Sequence, residues 1–224
     1  MNWRYMAMFG VLMVFGLAFA TPYNATNSTQ SYYARWQGSA IAQGISIEGG
    51  NISDLNLSAT SLTDRWAAFF GNLTGTIYLT SAAGSTTNYV YRWSVTTINS
   101  GYVCASNSGA FNFLGAAAAT AAGVNSFYNL GNAADNATNT LTGTCTLNFA
   151  GQGAINSAPA VDTGNNAADT FRTCAITDTT NYAFCVAANA TGNNYLGNPA
   201  HYELMVPTTP DTGLTTYYFY AELA

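Results

Sequence analysis

The sequence predicts an all-β fold, a disulfide-bonded β-sandwich of about ten strands with one short Ala-rich helix. Two observations support this prediction. Short segments with alternating apolar and polar residues recur at regular spacing, and turn-forming Gly-Asn pairs precede several of them. Four cysteines, an even number, can close two disulfides in such a domain. Short strands at this spacing are typical of a sandwich.

Each predicted strand shows period-two alternation or a short aromatic run between turn-forming residues. The predicted strands cover residues 41–47, 54–59, 65–70, 73–79, 89–95, 141–149, 171–176, 182–186, 201–206 and 215–223.

One stretch departs from the strand pattern. Residues 114–128 are rich in Ala, the best helix former, and we expect one helix over about residues 113–130 that ends at Gly131. Residues 150–169 and 188–200 are predicted to be loops because Gly, Asn, Ala and Pro dominate the first of them and no strand pattern covers the second.

The first twenty residues have the layout of a secretory signal peptide. One positive charge, Arg4, precedes an apolar run that ends in the small-residue cleavage site Ala18-Phe19-Ala20. The alternative is an uncleaved membrane anchor, but the run of about 15 residues is short for a spanning helix. We therefore expect a signal peptide at 1–20, a polar N-terminal segment at 21–40 and a β-sandwich domain at 41–224. The mature chain is expected to be secreted, extracellular or on the cell surface, with no stable membrane span.

Charge excludes several classes of partner. Charged residues are only 7% of the chain, and there are five basic residues against ten acidic ones. Loss of Arg4 with the signal peptide leaves four Arg against those ten acids. A chain this poor in cations is not expected to bind nucleic acid through phosphates. It also lacks most of the charges that normally prevent sheet edges from pairing between molecules.

Two disulfides among four cysteines allow three connectivities. Strands at 171–176 and 182–186 around a Thr179-Thr180 turn would place Cys174 opposite Cys185, so these two are predicted to pair. Cys104 would then pair with Cys145. The spacing includes no Cys-x-x-Cys motif, and we expect no metal and no cofactor.

The sequence also contains N-x-S/T acceptors for N-linked glycans, which the signal peptide would deliver to a compartment where glycosylation is possible. The candidate sites are Asn24, Asn27, Asn51, Asn56, Asn72, Asn136 and Asn189.

Candidate catalytic residues are few, and we expect no enzymatic activity. A Ser-His-Asp or Cys-His site would have to use His201, the only histidine, for which a structural or surface role is the simpler interpretation. Glu48 and Glu203 are candidate carboxylates for a hydrolase but lie in no motif. Three tryptophans could stack on sugars, although core and inter-sheet packing explains most of the aromatic residues more simply. The candidate ligand aromatics are Trp36, Trp66 and Trp93.

Residues 47–58 and 62–75 resemble a block found in a group of secreted archaeal surface proteins, with the form GGN…TDRWAGFYGN followed by a sequon and Gly. The likeness continues at 145–149, at Phe184-Cys185 and through the C-terminal tyrosine-rich end. It implies an archaeal surface location. In architecture and composition the chain is also similar, more loosely, to glycosylated β-domain subunits of archaeal thread and bundling-pilus filaments.

These observations lead to two functional hypotheses. The first is a non-enzymatic structural subunit of an archaeal extracellular filament or surface array, in which β-strand addition joins copies of the chain. The candidate donor segments are Ser31–Ile41, which we favour, and Thr215–Leu223. The alternative is a monomeric adhesin or carbohydrate-binding surface module. The expected partners are other copies of the chain and N-linked glycans.

Overall fold

The structure of the protein is a computed structural model that describes residues 23–24, 63–80, 89–95, 100–163, 171–209 and 214–223. In these residues it contains twelve strands, of which ten have four or more residues. The strands are β1 (Tyr23–Asn24), β2 (Trp66–Gly71), β3 (Gly75–Thr80), β4 (Tyr89–Val95), β5 (Tyr102–Ser106), β6 (Ala117–Ala118), β7 (Gly143–Leu147), β8 (Ile155–Asp162), β9 (Arg172–Thr177), β10 (Tyr182–Ala187), β11 (Tyr202–Pro207) and β12 (Tyr218–Ala221). The helices are a 3₁₀ turn (Phe113–Gly115), α1 (Ala121–Phe127) and α2 (Ala137–Thr140).

Eight strands form one antiparallel sheet, here called the main sheet. Its order is β1-β12-β5-β10-β9-β8-β7, and the two-residue β6 pairs beside β9. A second ladder pairs β2 with β11, and β3 with β4 forms a separate hairpin. The fold is therefore all-β and sandwich-like with two disulfides, as the sequence predicts.

The main sheet buries both of its faces. Along β10, Phe184 and Val186 join the core beneath β2, β11 and α1, whereas Ala183 and Cys185 point into a second core. This follows from the two-residue repeat of a strand, which sends successive side chains to opposite faces. The second core holds all three fully buried half-cystines and a group of T-shaped aromatic contacts around Phe113.

The predicted register of the β9–β10 hairpin is confirmed, but the predicted disulfide pairing is wrong. Cys185 lies opposite Cys174 on β9, and it also lies opposite Cys104 on β5. The disulfides join Cys104 to Cys185 and Cys145 to Cys174.

Hydrogen-bond geometry explains this choice of partner. Ala188 N donates to Gly101 O, and two-residue alternation then makes Cys104 and Cys185 a non-hydrogen-bonded pair, the type with the closer side chains. Their Cα atoms are 4.1 Å apart. By the same alternation, counted from the bond between Asp178 N and Asn181 O, the Cys174–Cys185 pair is the wider hydrogen-bonded type.

The Ala-rich stretch forms more than one element, so the prediction of a single helix over 113–130 is wrong in extent. The 3₁₀ turn and β6 occupy its first part, and α1 begins only after Thr120, whose hydroxyl accepts from Gly123 N at 3.0 Å. This N-cap bond satisfies a free N–H of the first helical turn and sets where the helix starts.

Two further strands correct the sequence analysis. Strand β8 lies within the predicted loop at 150–169, and β5 was not predicted at all. The predicted strands at 41–47 and 54–59 lie outside the described residues, as do the signal peptide and most of the segment at 21–40. No helix in the described part of the chain is long and apolar enough to cross a membrane.

Candidate functional site

One end of the main sheet is formed by β12 and the very short β1. β12 pairs along its whole length with β5, from Tyr218 opposite Ser106 to Ala221 opposite Val103. On its outer side, the described residues of β1 form two register pairs, Tyr23 with Ala221 and Asn24 with Tyr220. We call this outer side of β12 the terminal edge.

The hydrogen-bond pattern shows which backbone groups face the terminal edge. Tyr102 and Glu222 exchange both backbone bonds, at 3.3 and 2.8 Å, so alternate residues of β12 bond to β5. The N–H and C=O groups of Phe219 and Ala221 consequently point outward. Ala221 faces Tyr23, whereas Phe219 has no ladder partner in the described part of the chain.

β12 is itself firmly held from the second core. Tyr220 is buried, and its hydroxyl donates to Ser108 O at 2.7 Å and accepts from Phe111 N at 3.3 Å. Its ring also packs edge-to-face on Phe113, with centroids 5.0 Å apart. These contacts fix the strand to the loop that follows β5, so the terminal edge is a rigid template.

The opposite face of β12 is held as well. Phe219 packs edge-to-face on Phe69 of β2, with centroids 5.1 Å apart. Just beyond the strand, the side chain of Leu223 occupies the space that a Cβ at Gly75 would need, which explains a glycine at the start of β3. β12 is thereby tied to the main sheet, to β2 and to the β3–β4 hairpin.

A buried carboxyl follows β12 directly. Glu222 Oε1 accepts from Ala150 N at 2.6 Å, while Oε2 is buried and has no hydrogen-bond partner among the described residues. Burial raises the pKa of Glu222, and the bond from Ala150 opposes that shift only in part. Its burial therefore disfavours the charged form relative to an exposed carboxyl.

The other end of the main sheet, β7, is built differently. Thr144 lies opposite Pro159 of β8, and Arg172 Nη1 donates to Thr144 O at 3.1 Å. The same guanidinium forms a two-point ion pair with Asp162, at 2.6 and 3.3 Å. The β7–β8 register also shifts between Cys145 and Leu147, as at a β-bulge.

The structure places the candidate glycan sites on different kinds of backbone. Asn72 is exposed, Asn136 caps α2 through a 3.0 Å bond from Asn139 N, and Asn189 Oδ1 accepts from both the N–H and the hydroxyl of Thr191 at 3.0 Å. Asn24 lies on β1. The remaining candidates, Asn27, Asn51 and Asn56, lie outside the described residues.

Trp66 is not available as a sugar-stacking residue, which corrects that part of the sequence analysis. It is only 9% exposed and packs in the core beneath β2, β11 and α1, and its Nε1 donates to Asp135 O. Trp93 lies on β4, and Trp36 lies outside the described residues.

Of the candidate catalytic groups, His201 and Glu203 are engaged in structural contacts, and Glu48 lies outside the described residues. His201 Nδ1 lies 3.0 Å from both the backbone N and the backbone O of Leu73. Glu203 is buried, and its Oε2 accepts from Tyr195 N at 2.8 Å. A cavity of about 340 Å³ beside β6 and the start of β8 is lined by uncharged residues, most of them Ala or Gly. No group of three His, Cys, Asp or Glu residues in the described ranges is placed to hold a metal.

Comparison with known proteins found no match for this chain among protein-family models, curated proteins or solved structures. The terminal edge is a functional candidate on its geometry alone. No local sequence pattern marks its supporting residues, Tyr220 and Glu222, because strand order is a non-local property.

Proposed function

We propose that the protein is a non-enzymatic structural subunit that assembles outside the cell by β-strand addition between copies. In this assembly the N-terminal segment that begins at the predicted mature residue Thr21 leaves its own sheet. It pairs instead with the terminal edge of the next copy. Repetition of this head-to-tail contact extends a filament, because a heterologous contact that does not close propagates.

The observation that carries the proposal is that, among the described residues, only the two residues of β1 cover the outer side of the rigid β12. The two register pairs of β1 contain a single hydrogen-bonded pair, Tyr23 with Ala221, whose net contribution is roughly 1 kcal/mol per bond. Exchange between copies replaces these bonds with identical ones. A donor that also bonds the outward-facing backbone groups of Phe219, which pair with no described residue, extends the ladder and favours assembly.

The alternative donor, Thr215–Leu223, is less suited to leave its own sheet than the N-terminal segment. Its strand, β12, is already paired with β5, and Tyr220 is anchored in the second core. Moving it would break this pairing and expose buried side chains, so it serves better as the acceptor. The favoured donor, Ser31–Ile41, lies outside the described residues, but Tyr23–Asn24 precedes it in the same N-terminal segment.

The composition of the terminal edge also supports β12 as the strand that accepts a donor from another copy. β12 has the sequence Tyr-Phe-Tyr-Ala, without a charge or proline, and Tyr218 at its start is 47% exposed. Charges and prolines are the usual means of preventing pairing between molecules at an edge. Secretion, glycosylation and an archaeal surface location belong to the same proposal and rest on the N-terminal sequence, the sequons and the resemblance described above.

Variants that each carry one added cysteine can directly test whether the N-terminal segment pairs with β12 of another copy. Oxidised Tyr23→Cys and Ala221→Cys chains are mixed, and non-reducing gels report any bond between them. Facing residues of a hydrogen-bonded pair have Cα atoms about 5.5 Å apart, a distance that suits a disulfide. We expect a heterodimer from this mixture and none from the matched control, Tyr23→Cys with Thr144→Cys on β7.

The double variant Tyr23→Cys/Ala221→Cys then distinguishes the topologies. Head-to-tail assembly gives a ladder of cross-linked multimers. A cross-linked monomer alone, or a closed dimer alone, would overturn the filament proposal.

Deletion of residues 21–40 is an independent test. We expect the truncated chain, made behind a cleavable leader, to remain folded by circular dichroism but to form no polymers in negative-stain images. Polymers as abundant as those of the full mature chain would contradict N-terminal donation, and a monomeric full chain would favour the adhesin or carbohydrate-binding alternative.

A further inference from the structure

The four cysteines follow one another across the main sheet. Cys104 on β5, Cys185 on β10 and Cys174 on β9 are in direct register, and Cys145 on β7 ends this row two residues from Gly143, the position in register with Cys174 through Ala160 of β8. Facing residues of antiparallel strands project from the same face, so Cys104, Cys185 and Cys174 all enter the second core. The two disulfides therefore lie end to end, with Cys185 and Cys174 as neighbours.

We propose that Cys145 is a site of reversible mixed-disulfide formation with small thiols, and that Cys174 and Cys185 bond to each other when it is modified. Cys145 takes the thiol because it is the only partly exposed member of the row within the described residues. Cys104, Cys174 and Cys185 are all buried.

The geometry provides a partner for the sulfur that leaves. Cys174 and Cys185 are a hydrogen-bonded register pair, for which the Cα separation is about 5.5 Å. A disulfide spans Cα separations of roughly 4.4–6.8 Å, so this bond can form without strand movement. Cys104 and Cys145, in contrast, are separated by the strands β10, β9 and β8.

The exchange balances without an added oxidant. The thiolate of a small thiol attacks Cys145 Sγ, forms a mixed disulfide there and releases Cys174 as a thiolate. Cys174 then attacks Cys185 Sγ, the Cys174–Cys185 bond forms, and Cys104 leaves as a thiolate that takes up a proton. Two disulfides and one thiol are present before and after the exchange.

Modification has a structural consequence for the edge of the sheet. The Cys145–Cys174 bond ties β7 to β9 across β8, where Ala158 and Ala160 are both fully buried. In the modified isomer this covalent tie is absent, and β7 is held to the main sheet by noncovalent contacts, chiefly its ladder with β8 and the bond from Arg172 to Thr144 O. The inference concerns β7 and does not depend on the assembly proposed for β12.

Limited exchange on the native, oxidised full chain can test this. The protein is incubated with reduced glutathione at mildly alkaline pH, quenched with acid, alkylated and digested with chymotrypsin for mass spectrometry. We expect glutathione on Cys145, a new Cys174–Cys185 cross-linked peptide and an alkylated Cys104. The Cys174–Cys185 product should exceed any Cys104–Cys145 product by at least about tenfold, since exchange requires contact between the reacting sulfurs.

A denatured sample in guanidinium is the matched control, because an unfolded chain should form all three connectivities. Glutathione on Cys145 with Cys174 alkylated and the Cys104–Cys185 bond intact would overturn the exchange. Absence of any modification at Cys145 in the native protein would overturn the site.

A Cys104→Ser variant provides a second measurement. If circular dichroism shows that the variant is folded, the Cys174–Cys185 bond should form and leave Cys145 as the free thiol. Retention of Cys145–Cys174 with Cys185 as the sole thiol would contradict the exchange. If the variant fails to fold, the glutathione experiment on the wild-type chain decides alone.

Discussion

The two ends of the main sheet differ in how their outer backbone is occupied. At β7, an arginine side chain bonds the Thr144 carbonyl, an ion pair holds that arginine, and the ladder is irregular near Cys145. At β12, an uncharged strand is fixed on both faces and covered in the described residues only by Tyr23–Asn24. Charge and bulges are typical of edges that avoid pairing, and a regular uncharged edge is typical of one that accepts a strand.

This difference between the two edges is informative because only 7% of the residues in the chain are charged. Of the five basic residues, Arg172 lies at the β7 end and none lies on β12. Protection of one edge and not the other favours assembly in one direction. The following predictions test how each edge is built.

The largest effect is expected from loss of the anchor beneath β12. Tyr220→Phe removes the hydroxyl that bonds Ser108 O and Phe111 N and leaves both backbone groups without that partner. We expect the free energy of unfolding to fall by about 1–3 kcal/mol. Urea denaturation measures the change, with Tyr218→Phe as the matched control because Tyr218 is half exposed. An equal loss in the two variants would show that the Tyr220 hydroxyl does not anchor β12.

The second prediction concerns the carboxyl at the end of β12. The pKa of Glu222 is raised by burial in the folded chain, so the folded state keeps this proton at pH values where the unfolded state has lost it. Stability should therefore decrease as pH rises above the ordinary Glu pKa of about 4.5 towards the raised folded value.

Glu222→Gln removes that titration while it preserves an oxygen for the bond from Ala150 N. We expect the variant to be about 1 kcal/mol more stable than wild type at neutral pH, because a buried charged oxygen without a partner is costly. The difference should disappear near pH 4. Thermal unfolding across this range measures it, and a difference that stays constant with pH would rule out Glu222 as the cause.

The strands that sequence analysis recovered are those with local signals. β9 and β10 alternate around a turn in which Asp178 accepts from the N–H groups of Thr180 and Asn181, and their register was predictable from the turn. β8 was missed because Pro159 lies within it and Gly, Ala and Asn flank it. β5 was missed because Val103, Cys104 and Ala105 are all buried, so no polar alternation marks the strand.

The disulfides and the terminal edge depend on strand order, which no local pattern contains. Cys185 faces a cysteine on each side, and only the presence of β5 shows which one is closer. Likewise, a strand at 215–223 was predictable, but its place beside β5 and beneath β1 was not. The disulfide partners and the proposed acceptor strand could not be predicted from the sequence because both depend on strand order.

The smallest effect on stability is expected at the β7 end of the main sheet. Arg172→Ala removes an exposed ion pair with Asp162 and the donor to Thr144 O, and exposed pairs contribute little, so we expect a loss of at most about 1 kcal/mol. Association should respond more, because the uncovered β7 carbonyl becomes available to a second molecule. Sedimentation velocity at matched concentrations should show oligomers for Arg172→Ala that Arg172→Lys, which keeps a charge at the edge, suppresses. If the two variants associate equally, the charge does not protect β7, and the contrast between the edges rests on the bulge and the disulfide alone.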